Sequence, residues 1–246
     1  MARFLGRAPP ALLADVSALP FAPLPFHLDP DRRPGGRRNW RYEEMVPGPA
    51  TIEALVGDGL PGAVKLGPGV DLEALPAGEV EIIQRGGALV QAVLWCGALS
   101  RGSRRATRVD LGETFAAAPA PLPIAPAGPF LHEVAPAIER AGLLGALARA
   151  NGLAAPHEHA GLLSGAEPLA SAWLSPAPLL AELPGRIDEV TRWLARHGAR
   201  AATVRVRRAD DAAEWEAALC GGGPPTHAVH VTRDGARRIA WITKTQ

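Results

Sequence analysis

The chain has 246 residues, a formal net charge of +1, 47% hydrophobic residues and 21% charged residues. These proportions are those of a globular protein with a large core, and the nearly neutral charge gives no global sign of binding to nucleic acid or to a membrane. The two cysteines, Cys96 and Cys220, are too few and too far apart for a disulfide framework. Because no apolar run is long enough for a signal peptide or a membrane helix, we expect a cytoplasmic protein.

The first part of the chain alternates short apolar runs with chain breakers. Apolar runs end at Asp15 and at Asp29, a helix is predicted over 51–56, and a further strand over 62–66. Strands that alternate with helices predict a parallel sheet. Two strand-like runs, 79–85 and 88–95, then flank a Gly-Gly pair, which predicts an antiparallel hairpin.

The rest of the chain predicts a connector and a small α/β unit. Prolines are frequent between 116 and 129, which indicates an extended and stiff segment, and a helix is predicted over 138–150. Beyond about residue 183, the pattern predicts a helix that Gly198 ends, a strand over 203–207, a helix over 211–219 and a hairpin that turns at Asp234-Gly235. We therefore predict boundaries near residues 115 and 182.

Several short sequences resemble one family when they are taken in order. They are Leu28-Asp29-Pro30-Asp31-Arg32-Arg33 with Gly36-Arg37-Arg38, then Val64-Lys65-Leu66-Gly67-Pro68-Gly69, and Ala92-Val93-Leu94-Trp95. Together they resemble class I S-adenosylmethionine-dependent methyltransferases, and more narrowly a bacterial group with a C-terminal THUMP-like domain. The segment 204–208 and the hairpin around Val231-Thr232-Arg233 resemble that THUMP-like module.

The resemblance implies an α/β fold. Residues 1–115 would form an incomplete methyltransferase-like domain, a partial Rossmann-like sheet with an antiparallel closing hairpin. Residues 116–182 would be a proline-rich connector with a helical region, and residues 183–246 a small α+β THUMP-like domain of ferredoxin-like type. The family's cofactor is S-adenosylmethionine, for which Asp15 and Asp29 would be binding residues, and Asp29-Pro30 would lie beside the transferred methyl group as catalytic residues. The THUMP-like tail implies RNA as the methyl acceptor, by analogy of fold.

The chain also departs from the family. No Gly-x-Gly-x-Gly or Gly-x-Gly-x-x-Gly loop occurs, and only 14 residues precede Asp15, whereas two β-α units need about 60 residues. We therefore expect an N-terminally truncated or decayed member that is inactive alone and binds the cofactor very weakly. A separate chain that supplies the missing half is the alternative. Asp31 and Arg32 replace the proline and aromatic residue of the amino-methylating signature, so the stacking platform for a flipped base is lost.

The THUMP-like tail and arginine-rich loops supply a second hypothesis, a non-enzymatic RNA-binding or scaffold protein. One loop contains several arginines and a tryptophan, which we predict to contact substrate: Arg32, Arg33, Arg37, Arg38 and Trp40. The guanidinium groups suit phosphates and the indole suits a base, but the same residues also suit a solvated loop that pairs with Glu43 and Glu44. Lys65 is either a further substrate contact or a surface residue. His157-Glu158-His159 has no third ligand at a suitable spacing, so we predict no metal.

Overall fold

The computed structural model describes residues 13–16, 25–31, 41–207, 211–221, 223–235 and 237–245. Its helices are α1 (Pro49–Gly57), α2 (Pro136–Arg140), α3 (Leu144–Ala150), α4 (Ile187–Arg196) and α5 (Ala212–Leu219). Its strands are β1 (Phe26–Leu28), β2 (Gly62–Leu66), β3 (Glu79–Arg85), β4 (Ala88–Cys96), β5 (Arg104–Arg108), β6 (Glu113–Ala117), β7 (Phe130–Val134), β8 (Leu162–Gly165), β9 (Leu174–Pro184), β10 (Ala202–Arg207), β11 (His227–Asp234) and β12 (Arg237–Lys244).

The first sheet has the strand order β1-β2-β4-β3-β5-β6. Strands β1 and β2 are parallel, from Phe26 opposite Gly62 to Leu28 opposite Val64, whereas β4 pairs with β2 in the antiparallel direction. The predicted hairpin of β3 and β4 is present, and Gly86 adopts the positive φ of 58° that its tight turn requires. The central strands are apolar and buried, with Val64 and Leu94 fully buried, which explains the nearly continuous hydrophobic runs.

The second sheet has the strand order β10-β11-β12-β9-β7-β8. Strands β10 and β11 are parallel, and β12 is antiparallel to both of its neighbours, β11 and β9. Helices α4 and α5 pack with this sheet around one core cluster that includes Val190, Leu194 and Trp215 of the helices with Val229 and Ile242 of the strands. The apolar residues of α4 recur at helical spacing, and they form the face of the helix that enters this core.

The last part of the chain follows the order β9-α4-β10-α5-β11-β12. The ferredoxin-like fold instead has the order β-α-β-β-α-β. The prediction of a ferredoxin-like tail was therefore wrong in its element order, because two strand-helix units precede the closing hairpin. The likeness to a THUMP-like module stays a prediction.

Two further differences concern local breaks in the chain. The single helix predicted over 138–150 is two helices, α2 and α3, because Gly142 adopts a positive φ of 71° between them. The strand predicted to end at Asp15 does not include Leu13 or Ala14, which belong to no strand. The start of that predicted strand lies outside the described residues.

The chain divides into two compact units. The first consists of residues 1–81 and 90–103, and the second of residues 82–89 and 104–246. Strand β9 continues across residue 182, where the sequence predicted a boundary, so the proline-rich part and the tail share one sheet. The three-part domain division itself stays a prediction.

Candidate functional site

The carboxyl end of the parallel pair β1–β2 carries the two chemistry-bearing residues that the sequence singled out in this region. Asp29 follows the last residue of β1, and Lys65 is the last but one residue of β2. The Lys65 ammonium Nζ donates to Oδ2 of Asp29 at 2.6 Å, with the two side chains 34% and 49% exposed. Because parallel strands end at one edge, side chains separated by 36 residues in sequence meet there.

The segment that follows Asp29 is anchored to this same edge. Pro30 is buried, and Asp31 exchanges two backbone hydrogen bonds with Val46, at N–O distances of 2.7 and 3.1 Å. The chain that leaves Asp31 therefore returns beside the end of β1. Arg32, Arg33, Arg37, Arg38 and Trp40 lie between these two positions and outside the described residues, so their contact with substrate stays a prediction.

A buried tyrosine follows this segment in the first unit. Tyr42 is 2% exposed, and its hydroxyl has no hydrogen-bond partner among the described residues. Burial, followed by the nearby charge of Glu53, raises the pKa of Tyr42 to about 12. Burial also raises the pKa of the Cys96 thiol. The Tyr42 hydroxyl and the Cys96 thiol are therefore protonated and uncharged at neutral pH. The charged groups at the sheet edge are those of the Asp29–Lys65 pair.

The first unit also buries two carboxylates that the sequence reading did not single out. Glu81 accepts a hydrogen bond from Nε1 of Trp95 at 2.8 Å, and Glu79 accepts one from the backbone N–H of Arg101 at 2.6 Å. These bonds lie within the hairpin and the loop that follows it. The sequence signal for them was a pair of acids at alternate positions of a predicted strand. Their hydrogen bonds give both carboxylates a structural role.

Asp15 is described and exposed. Because residues 13–16 form no strand, the described part of the chain does not contain the strand that was predicted to end at Asp15. The binding of cofactor by Asp15 stays a prediction, as do the cofactor and catalytic roles of Asp29 and Pro30. The structure does bring Asp29 and Lys65 together.

The tail residues that resemble the THUMP-like module are engaged in ion pairs. Arg205 lies 2.7 Å from Oε2 of Glu133, and Arg207 forms a two-pronged pair with Glu139. Glu133 lies on β7 and Glu139 on α2, so both carboxylates belong to segments before the predicted THUMP-like domain of residues 183–246. The sequence did not reveal these pairs because about 70 residues separate their members.

The described residues also bear on a metal site and on a membrane span. They contain no group of three or more His, Cys, Asp or Glu side chains arranged to hold a metal ion. Among these same residues, every helix is too short or too polar to cross a bilayer.

No protein-family model and no curated protein matches this chain. A solved structure does match: a candidate methyltransferase from Porphyromonas gingivalis W83, with a TM-score of 0.68 and 16% sequence identity. The match covers 89% of this chain and 59% of that chain. The chain therefore has a methyltransferase-like α/β fold and spans about three fifths of the length of that neighbour.

Proposed function

We propose that this chain is part of an S-adenosylmethionine-dependent methyltransferase. The observation that carries the proposal is the Asp29–Lys65 pair at the carboxyl edge of a parallel strand pair, next to an antiparallel hairpin. Open α/β sheets bind their ligands outside the carboxyl ends of the strands. The fold of the neighbour from Porphyromonas gingivalis W83 supports the same class of function.

The residues of this chain fit the cofactor only in part. Asp29 offers a carboxylate at the strand end, and Lys65 fixes its position through the 2.6 Å contact. The sequence contains no glycine-rich loop to approach the methionine part of S-adenosylmethionine, and no acid after a second strand to hold the ribose hydroxyls. We therefore propose that a separate chain or a longer form of the protein supplies that wall, and that the chain alone binds the cofactor very weakly.

Photo-crosslinking to radiolabelled S-adenosylmethionine tests this proposal. The tagged chain is purified both from a heterologous host and from its native host, so that a partner is retained in the second preparation. We expect label in the native preparation only, and at least a tenfold loss of label in Asp29→Asn. Asp58→Asn, an exposed acid of the same unit, is the matched control and keeps its label.

Two results would overturn the proposal. Label in neither preparation, and none in a longer form expressed from the native gene, removes the methyltransferase assignment. Micromolar binding of the cofactor by the chain from the heterologous host, measured by calorimetry, removes the need for a second wall.

A non-enzymatic RNA-binding or scaffold role remains the alternative proposal. It depends on the arginine-rich loop after Asp29, because Glu133 and Glu139 already neutralise Arg205 and Arg207 of the tail. Binding through phosphates weakens steeply as salt rises. A gel-shift assay at two salt concentrations discriminates the two functions, since only the RNA-binding role predicts a salt-sensitive shift that needs no cofactor.

A further inference from the structure

Three strands of the second sheet run in the same direction and end at one edge. Strand β12 is antiparallel to both β9 and β11, so these two run the same way, and β10 is parallel to β11. The two helices that follow β9 and β10, α4 and α5, therefore begin at this edge. This is the position at which open α/β sheets bind ligands, and it belongs entirely to the second unit.

An open groove of about 1150 Å³ lies at this edge. Its walls come from the end of β9, the start of each helix and the β11–β12 hairpin. The residues before the helices, Arg186 and Asp211, make no side-chain hydrogen bond that caps the helix. Helix N-termini carry partial positive charge and unpaired N–H groups, and carboxylates already stand in the first turn of each helix, Asp188 and Glu189 on α4 and Glu214 on α5.

The lining of the groove contains four arginines and four carboxylates, so its formal charge is zero. Arg238 pairs with Asp211, and Arg186 pairs with Asp188 at 3.2 Å, so these four charges are neutralised. Glu182 accepts a hydrogen bond from Nε1 of Trp241 at 3.0 Å. Four charged lining residues form no ion pair among the described residues: Arg233 and Arg237 on the hairpin, and Glu182 and Glu214 on β9 and α5.

The two arginines stand on the hairpin that forms one wall. Arg233 lies opposite Arg238 in the β11–β12 ladder, and Arg237 follows the turn. Nε of Arg233 donates to the carbonyl of Gly235 at 2.9 Å, which leaves its two terminal nitrogens available. Guanidinium groups bind phosphate through paired N–H donors. The hairpin wall therefore presents the phosphate-binding groups of the groove, and the wall formed by β9 and α5 presents carboxylates.

We propose that this groove is a binding site for a phosphorylated small molecule, such as a nucleoside or sugar phosphate. The phosphate lies against Arg233 and Arg237 on the hairpin wall. A volume of about 1150 Å³ exceeds what a bare phosphate fills and accommodates a drug-sized ligand. The carboxylate of Glu214 then accepts from a hydroxyl or amino group of the carrier. This site is separate from the residues of the proposed methyltransferase site.

Calorimetric titration of the full chain with four probes tests the proposal. The probes are adenosine monophosphate, ribose 5-phosphate, adenosine and inorganic phosphate. We expect both phosphate esters to bind and adenosine not to bind. Tighter binding of the nucleotide identifies a nucleoside phosphate, whereas equal binding of the two esters identifies a sugar phosphate.

Paired variants locate the site. We expect the double variant Arg233→Gln/Arg237→Gln to lose at least tenfold in affinity for the phosphate esters. Arg196→Gln/Arg200→Gln removes the same charge from exposed positions of the same unit outside the groove, and we expect it to stay within twofold of the unmodified chain. Circular dichroism confirms that both variants are folded.

Three results would overturn the proposal. Adenosine that binds as tightly as its monophosphate removes the role of the phosphate. Equal losses in the two double variants indicate attraction by general charge. Absence of binding by both esters at millimolar concentration, or binding of an acidic peptide in their place, shows that the groove serves a different ligand.

Discussion

His230 is a buried imidazole in a charged environment. It is 4% exposed on β11, and its Nε2 lies 3.7 Å from Oε1 of Glu133. Burial, followed by the charges of Arg205 and Arg207, lowers the pKa of His230 to about 4. The imidazole is therefore neutral at pH 7, and its contact with Glu133 is no ion pair there. The nearby carboxylates of Glu133 and Glu139 form their ion pairs with Arg205 and Arg207 instead.

This shift makes the stability of the chain depend on pH. An unfolded histidine has a pKa near 6.5, so between about pH 6.5 and pH 4 the unfolded state binds a proton that the folded state does not. His230 therefore lowers the free energy of unfolding as the pH falls through this window. Between pH 7 and pH 5 the loss is about 2 kcal/mol, since the folded state stays nearly unprotonated.

Replacing the imidazole tests this linkage. We expect His230→Gln to reduce by about 2 kcal/mol the difference in unfolding free energy between pH 7 and pH 5. Urea denaturation at the two pH values measures that difference. His27→Gln, which removes an exposed imidazole on β1, is the matched control. A His230→Gln profile that runs parallel to the original one contradicts the prediction.

Some of these residue contacts were within reach of the sequence and others were not. The meeting of Asp29 with Lys65 follows from a general rule, because residues that end neighbouring parallel strands share an edge. The His230, Glu133 and Arg205 group does not follow from any such rule. Strands β7 and β10 are not neighbours in the sheet, and only the folded sheet brings their side chains together.

At the scale of elements, helix α2 begins with help from a distant strand. Gln84 of β3 is 2% exposed, and its Oε1 accepts the backbone N–H of Ala137 at 3.0 Å. Its Nε2 donates to the carbonyl of Gly86 at 2.6 Å. The first N–H groups of a helix have no partner within the helix, and the residue before α2, Ala135, has no side chain that could accept one.

Removing this amide leaves a buried N–H without an acceptor. We expect Gln84→Ala to lower the free energy of unfolding by about 1–3 kcal/mol, the usual cost of a buried polar group that loses its partner. Thermal or urea denaturation measures it. Gln91→Ala, on β4, removes the same group from a half-buried position and costs less than half as much. Equal losses in the two variants would mean that Gln84 does not support α2.

Elements with a clear period or turn were predicted well, and elements rich in proline were not. The β3–β4 and β11–β12 hairpins, helices α1, α4 and α5, and strands β2 and β10 all match their patterns closely. Strand β9 was missed because Pro176 and Pro178 lie within it, and proline normally indicates a segment outside a sheet. Both prolines are paired with residues of β7 in the sheet. The sequence gives no sign that this partner strand exists.

At the scale of the whole molecule, two strands show parallel pairing at the edge of a sheet, as far as the described residues extend. Strand β1 pairs with β2 at one end of the first sheet, and β10 pairs with β11 at one end of the second. Parallel strands are usually covered on both faces and both sides. Strand β10 has six residues and contacts α5, whereas β1 has three residues and its His27 is exposed. The backbone amides of these two edge strands are therefore protected from exchange with solvent to different degrees.

Hydrogen exchange followed by mass spectrometry tests this ranking. We expect the slowest exchange in β11 and β12, which share eight residue pairs around buried Val229 and Ile242. Strand β10 should exchange at an intermediate rate. Strand β1 should exchange fastest, because its few amides open locally at little cost in free energy.

The same measurement examines the proposed second wall of the methyltransferase site. In the preparation from the native host, a partner that adds a strand beside β1 gives its amides acceptors and buries Phe26 and Leu28, so we expect their exchange to slow at least tenfold. Strands β11 and β12 belong to the other unit and serve as the internal standard, with unchanged rates. Protection of β1 equal to that of β11 in the isolated chain would show that this edge is already complete.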